Sequence, residues 1–258
     1  MNVQQQAEID RFLSSGDHDD ILFQNWPGSS IIEQCVNGEA AMRSALNAAI
    51  LKRTERAAVS ECHDDSRLDI NVRTKVTPMV QGLFPRNEQT VILDMLEHSV
   101  VFLTPATIST IIKNAPWLRT AWNLANMYLS SFGAKALADD APTIVGLSEE
   151  TTCYVSMKYY GINNRFEDYV LHEAAHIFHN CKREMIGLPA TRRRKWLLDI
   201  DFAKRETFAY SCEAYSRILE LGKTPLERFR LLSEHVEEPM LSDDRVSTLN
   251  RNVLFSAK

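Results

Sequence analysis

The residues whose types and spacing could do chemistry stand together as His172-Glu173-Ala174-Ala175-His176. Two histidines four apart on a helix lie one above the other, so both imidazoles can reach a single metal ion. The glutamate between them points to the side, where it can take a proton from a water on that ion. At roughly 100° per residue, His176 falls about 40°, Tyr169 about 60° and Glu173 about 100° from His172. Phe166, Val170, Ala174, Ile177, Phe178 and Cys181 gather on the opposite side. The pattern predicts a helix whose apolar stripe meets a core while both histidines project from the other face, with Glu167, Asp168 and Lys182 as solvated positions.

A third ligand has to come from another element, because three side chains on one straight helix converge poorly on a tetrahedral ion. That argues against His179, seven residues after His172. The next helical segment, Asp199 to Leu221, offers Glu206 and Glu213, which share a face with Tyr210 and Arg217. Phe208, Tyr215, Ile218 and Leu219 occupy its other face. On the residues alone, Glu206, Glu213, Asp199, Asp201 and His179 all stay open. Three protein ligands leave the fourth position to water, the open arrangement of a catalytic rather than a structural zinc.

The elements that must position these groups follow from periodicity and turn signals. Before the histidine helix, Thr143-Ile144-Val145-Gly146-Leu147 and the β-branched, aromatic run Thr151–Tyr160 read as a β-hairpin. Gly161-Ile162-Asn163-Asn164 ends the second strand, and Asn164 is placed to cap a helix running from Arg165 to about Arg183. Pro225 and Pro239 bracket one more helix after Gly222. Upstream, helices are expected over Gln4–Leu13, Ile32–Val59, Glu88–Val101 and Thr107–Leu137, the last interrupted at Pro116. The alternation of Leu68, Ile70 and Val72 suggests a strand over Asp64–Val76. Trp117, Trp122, Tyr128 and Phe132 are expected in a core. Cys62-His63-Asp64-Asp65 reads as a surface turn, since no matching Cys/His pair lies near it. The expected fold is therefore α+β and predominantly helical. A helical N-terminal region, 1–138, precedes a core with C-terminal helices, 139–258, in which a small β-hairpin or sheet leads into the histidine helix and a glutamate-bearing helix.

Composition sets the outer limits. With 258 residues, 45% apolar and 24% charged, the chain can bury a sizeable core without disulfides. The five cysteines are widely spaced, with no CxxC, which suits reduced thiols in a cytosol. No run approaches the ~18 apolar residues of a membrane helix, and the N-terminus lacks a signal-peptide pattern. A cytoplasmic location is expected. A net charge of −5 argues against a nucleic-acid binder relying on bulk charge. The basic stretch Arg192-Arg193-Arg194-Lys195, with Lys182 and Arg183 before it, reads as a solvated or acid-paired loop and leaves contact with an anionic partner open.

On these residues the chain resembles the zincin metallopeptidases, specifically the gluzincin branch, in which an HExxH helix is followed by a second helix supplying a metal-binding glutamate. Several members carry that glutamate as E-x-x-A followed by an acid, and Glu206-Thr207-Phe208-Ala209 matches the first four positions. Tyr210 stands where the acid is usual, leaving Glu213 or Asp168 to orient a histidine ligand in its place. The resemblance covers roughly residues 143–221. It implies a zincin-like core, a Zn2+ cofactor on His172, His176 and Glu206, and a protein or peptide substrate. Glu173 would be the general base for a metal-activated water, and Tyr210 the expected oxyanion donor, with Tyr169 and Tyr159 as alternatives. The Thr151–Tyr160 strand is expected to pair with an extended substrate. The contrasting expectation is a nucleic-acid- or partner-binding regulator on a degenerate zincin core, which would have no need of Glu173.

Overall fold

The computed structural model describes residues 1–55, 70–162 and 164–237. The Cys62–Asp65 turn lies outside the described residues. The chain is predominantly helical with one small three-stranded sheet, as expected, and forms two compact units. One is drawn from Met1–His63 and Leu103–Thr143, the other from Asp64–Phe102 and Ile144–Lys258. The segment Asp64–Phe102, within the expected N-terminal region 1–138, thus groups with the second unit.

The first unit holds α1 (Val3–Ser15), α2 (Ile31–Thr54), α5 (Ile108–Asn114) and α6 (Leu118–Ser131). The side chain of Asn2 caps α1 by accepting from the Gln5 amide, and Gln5 returns the bond in a capping box. Gly16 closes α1 at φ +74°, where an added Cβ would fall 2.7 Å from the Trp122 ring. Trp122 and Tyr128 are core residues, whereas Trp117 is 68% exposed. Pro116 delays the helix, so Trp117 occupies the extended N-cap position outside the inward face of α6.

In the second unit, the segment expected as a strand ends instead in α3 (Val72–Leu83). Asn71 caps it by accepting from the Thr74 amide, and Val72, Val76, Met79 and Val80 repeat at helical spacing on its buried face. The apparent alternation was too short to set a period. Helix α4 (Arg86–Glu97) packs against α3, and Arg73 of α3 reaches Asp94 and Glu97. The end of the expected Glu88–Val101 helix is a strand, β1 (Val100–Phe102).

The expected hairpin is present as β2 (Gly146–Glu149) and β3 (Thr152–Val155), but β3 stops well before Tyr160. Ser156 accepts from the Lys158 amide and turns Met157–Gly161 into a 3-10 helix. The sheet order is β1-β3-β2, with β1 parallel and β2 antiparallel to β3. β3 is thus central and paired on both sides, so it has no edge for a further strand. The expectation that the Thr151–Tyr160 run pairs with substrate is corrected on that ground; β1 and β2 are the edge strands.

Helix α7 (Tyr169–Asn180) carries the histidines and packs against β2, β3 and α8 (Arg205–Leu221). It starts at Asp168 rather than near Asn164, because the Asp168 carboxylate accepts from the amides of Val170 and Leu171. Asn164 closes a local turn instead, accepting from the Phe166 amide. Every residue from Tyr169 to His179 is buried, so α7 has no solvated face. α9 (Pro225–Glu237) follows, with Leu231 set against Phe166 and Ile218. No helix among the described residues is long and apolar enough to cross a membrane.

Candidate metal centre

One turn apart on α7, His172 and His176 bring their Nε2 atoms within 3.1 Å of each other. Glu206, in the first turn of α8, reaches both: Oε2 lies 3.5 Å from His172 Nε2 and Oε1 lies 3.5 Å from His176 Nε2. Tetrahedral geometry at metal–ligand bonds of about 2.1 Å puts neighbouring ligand atoms about 3.4 Å apart. The three side chains present two nitrogens and a carboxylate at that spacing. Their chemistry, two imidazoles and one carboxylate, fits a divalent ion.

The other carboxylates expected as candidate ligands fall elsewhere. Glu213, two turns further along α8, turns to the opposite edge of the first imidazole, with Oε2 3.3 Å from His172 Nδ1. Its Oε1 accepts from the Asp168 backbone amide. Asp168 in turn holds Lys75 Nζ of α3 at 2.6 Å and accepts from the Tyr159 hydroxyl at 3.4 Å. His172 is therefore backed by the buried Glu213 and Asp168 and, behind them, by Lys75, 93 residues before Asp168 in the chain. Sequence reasoning named Glu213 and Asp168 as stand-ins for a missing acid, and Glu213 takes that position. It missed Lys75, which lay in the segment read as a strand. Asp168, expected in solvent, is 2% exposed. Asp199 and Asp201 stay exposed, and Asp201 accepts from the Ala203 amide ahead of α8. His179 lies behind the second imidazole, its Nε2 3.3 Å from His176 Nδ1 and remote from the three converging atoms.

Glu173 sits beside this cluster, buried, with a hydrogen bond from the Ser148 side chain. Gly146 makes the space: a Cβ there would lie 2.6 Å from Glu173 Cδ. Ile144, Val145, Gly146, Tyr169, His172, Glu173, Glu206 and Tyr210 line a narrow cleft with about 40 Å3 for solvent-sized species. The Tyr210 ring stands edge-on to His172 at 4.6 Å. Tyr159 does not line this cleft. Ser156 N donates to Val145 O, so Leu147 and Glu149 exchange bonds with β3 while the backbone groups of Gly146 and Ser148 point to the free edge. Asn180 of α7 donates to the Ser148 carbonyl there.

Electrostatics follow the packing. Burial disfavours the charged form of His172, but the carboxylates of Glu206 and Glu213 outweigh it and lift the pKa to about 9. Burial pushes the Glu206 carboxyl up, yet its two histidine partners prevail and hold it well below the ordinary range. Burial raises Glu173 despite both imidazoles. His179 is driven down to about 3, chiefly by burial.

Beyond α7, Arg183 is 1% exposed and grips Glu88 of α4 with two bonds, 2.7 and 3.2 Å. Arg194 reaches the same carboxylate at 3.4 Å. This is the acid-paired part of the basic stretch; Arg192, Arg193 and Lys195 are exposed and make no ion pair among the described residues. Comparison with family models, with curated proteins and with solved structures finds no match.

Proposed function

We propose that this chain is a zinc-dependent metallopeptidase of the zincin type, gluzincin branch, that hydrolyses peptide bonds of a protein substrate in the cytoplasm. The observation that carries the reading is the convergence of His172 Nε2, His176 Nε2 and the Glu206 carboxylate beside a buried glutamate. Zinc held by those three residues supplies a Lewis acid that acidifies water and polarises a carbonyl. Glu173 accepts the proton of the attacking water at its carboxylate and delivers it to the leaving amine. Burial favours this role, because a carboxyl raised towards neutrality both takes and returns a proton. Ser148 orients Glu173, and Gly146 leaves room for it. Tyr210 donates its hydroxyl to the developing oxyanion from the wall of the cleft. The outward backbone groups of Gly146, at the free edge of β2, bind an extended peptide by main-chain hydrogen bonds.

Elemental analysis and peptide cleavage by the wild type beside three variants test this. Near-stoichiometric zinc is expected in the wild type, with loss in His172→Ala and Glu206→Ala. Glu173→Gln should keep the metal and lose about 10^2–10^4 in rate. Full zinc occupancy in His172→Ala would sink the proposal. Arg192, Arg193 and Lys195, exposed and without an ion pair among the described residues, favour a second reading, an anionic-partner binder on the same core. Salt-sensitive binding to DNA that survives Glu173→Gln, without peptide cleavage by the wild type, would select it.

A further inference from the structure

We infer that His179 is a positioning residue that holds His176 in its metal-binding tautomer, taking at the second imidazole the place that Glu213 takes at the first. The inference rests on reading the triad as a zinc site. His176 faces the triad with Nε2 and presents Nδ1 to His179 Nε2 at 3.3 Å. A neutral imidazole carries one N–H. If His176 ligates through Nε2, its proton must sit on Nδ1, and the group facing it must accept.

His179 is 5% exposed, and its other nitrogen, Nδ1, has no hydrogen-bond partner among the described residues. With both rings neutral, two proton arrangements satisfy the short contact. In one, His176 Nδ1–H donates to His179 Nε2, and the His179 proton sits on the unpartnered Nδ1. In the other, His179 Nε2–H donates to His176 Nδ1, and the His176 proton moves to Nε2, directed at His172 and Glu206. The first arrangement is ready for a metal. The second blocks it, because Nε2 no longer offers a lone pair. Passing between them shifts the proton of each ring and changes neither net charge nor fold.

The contrast with His172 makes this specific. As a carboxylate Glu213 only accepts, and it then fixes the His172 tautomer. His179 can do either, so the readiness of His176 depends on which nitrogen of His179 carries the proton. A neutral acceptor also leaves His176 a weaker donor to the metal than a carboxylate-backed histidine.

Three full-length proteins, compared in chelator competition for zinc, test the assignment: wild type, His179→Phe and His179→Gln. Phe keeps a ring of similar shape without an acceptor, and Gln restores an acceptor oxygen. The Phe variant should bind zinc about 10- to 100-fold more weakly, and the Gln variant within about threefold of wild type. Unchanged affinity in the Phe variant, or equal weakening in both, overturns the inference. Wild-type protein that binds zinc no better than His172→Ala overturns the zinc site itself, a distinguishable failure. A readout free of substitutions is nitrogen NMR of the imidazoles in zinc-loaded wild type. The expected pattern is Nδ1–H on both His176 and His179; a proton on His179 Nε2 overturns the assignment even if a variant does not fold.

Discussion

The two ends of α7 bury charge in opposite ways. At its start, Lys75, Asp168 and Glu213 form a chain in which each residue touches the next and the last touches His172. At its end, Arg183 and Glu88 close on one another and on Arg194, with no link to the histidines among the described residues. The first arrangement ties buried charge to chemistry; the second ties the loop after α7 to α4. A buried ion pair is weak evidence of net stabilisation, but removing one partner strands the other. The two ends should therefore fail differently when cut.

The largest effect is expected at the far end. Glu88→Ala leaves the Arg183 guanidinium buried without its carboxylate and should cost about 3–5 kcal/mol in chemical denaturation. Zinc affinity per folded molecule should stay within about threefold. A matching collapse of zinc binding would show that the two ends are coupled after all. Next comes Glu213→Gln, which keeps an oxygen for the Asp168 amide and loses the carboxylate behind His172. It should weaken zinc about 10- to 100-fold. An unchanged affinity would remove Glu213 from the site.

A pH series sharpens the same contrast. Zinc needs neutral His172, whose pKa is lifted to about 9, so binding at neutral pH must expel a proton. Affinity should rise by up to about tenfold per pH unit between 7 and 9. The metal-free protein should show the reverse trend in stability. A raised histidine pKa stabilises fully below the unfolded value of about 6.5, and the gain is lost as pH rises through about 9. In Glu213→Gln the rise in zinc affinity should level off at lower pH; the same profile in both proteins would refute the carboxylate's part. The smallest effect is expected from Lys75→Met, about 1 kcal/mol of stability, because the Asp168 carboxylate keeps its bonds to the Val170 and Leu171 amides. A loss above about 3 kcal/mol would make Lys75 as integral to its end as Arg183 is to the other.

Much of the candidate site was legible in the chain. His172, Glu173 and His176 follow from helical spacing, whereas Glu206 was set apart only by the resemblance of Glu206-Thr207-Phe208-Ala209 to the gluzincin pattern; the four side chains do come together. The hairpin was legible as well, because β-branched residues in Thr143–Leu147 and in Thr151–Tyr160 stand on either side of the turn-like Ser148-Glu149-Glu150. What failed did so where a local pattern was short or a neighbour intervened. Three alternating residues could not define a strand against the Asn71 cap and the Val72-Val76-Met79-Val80 repeat. β1 was hidden because three residues at a helix end become a strand only when β3 lies beside them. Asp168 looked solvated because nothing in its vicinity along the chain announces Lys75 or Glu213.

By itself, then, the sequence determined the histidine spacing, the glutamate set between the two histidines and the helical character of the chain, since each is set by neighbours within about four residues. Tertiary structure alone decided which carboxylate faces which nitrogen. Glu206 and Glu213 lie on one face of α8 and look equivalent along the chain. They differ because α8 crosses α7 so that one meets the Nε2 edges of both imidazoles and the other meets the Nδ1 edge of His172. A ring nitrogen's partner depends on where a second helix passes, and no local period encodes that.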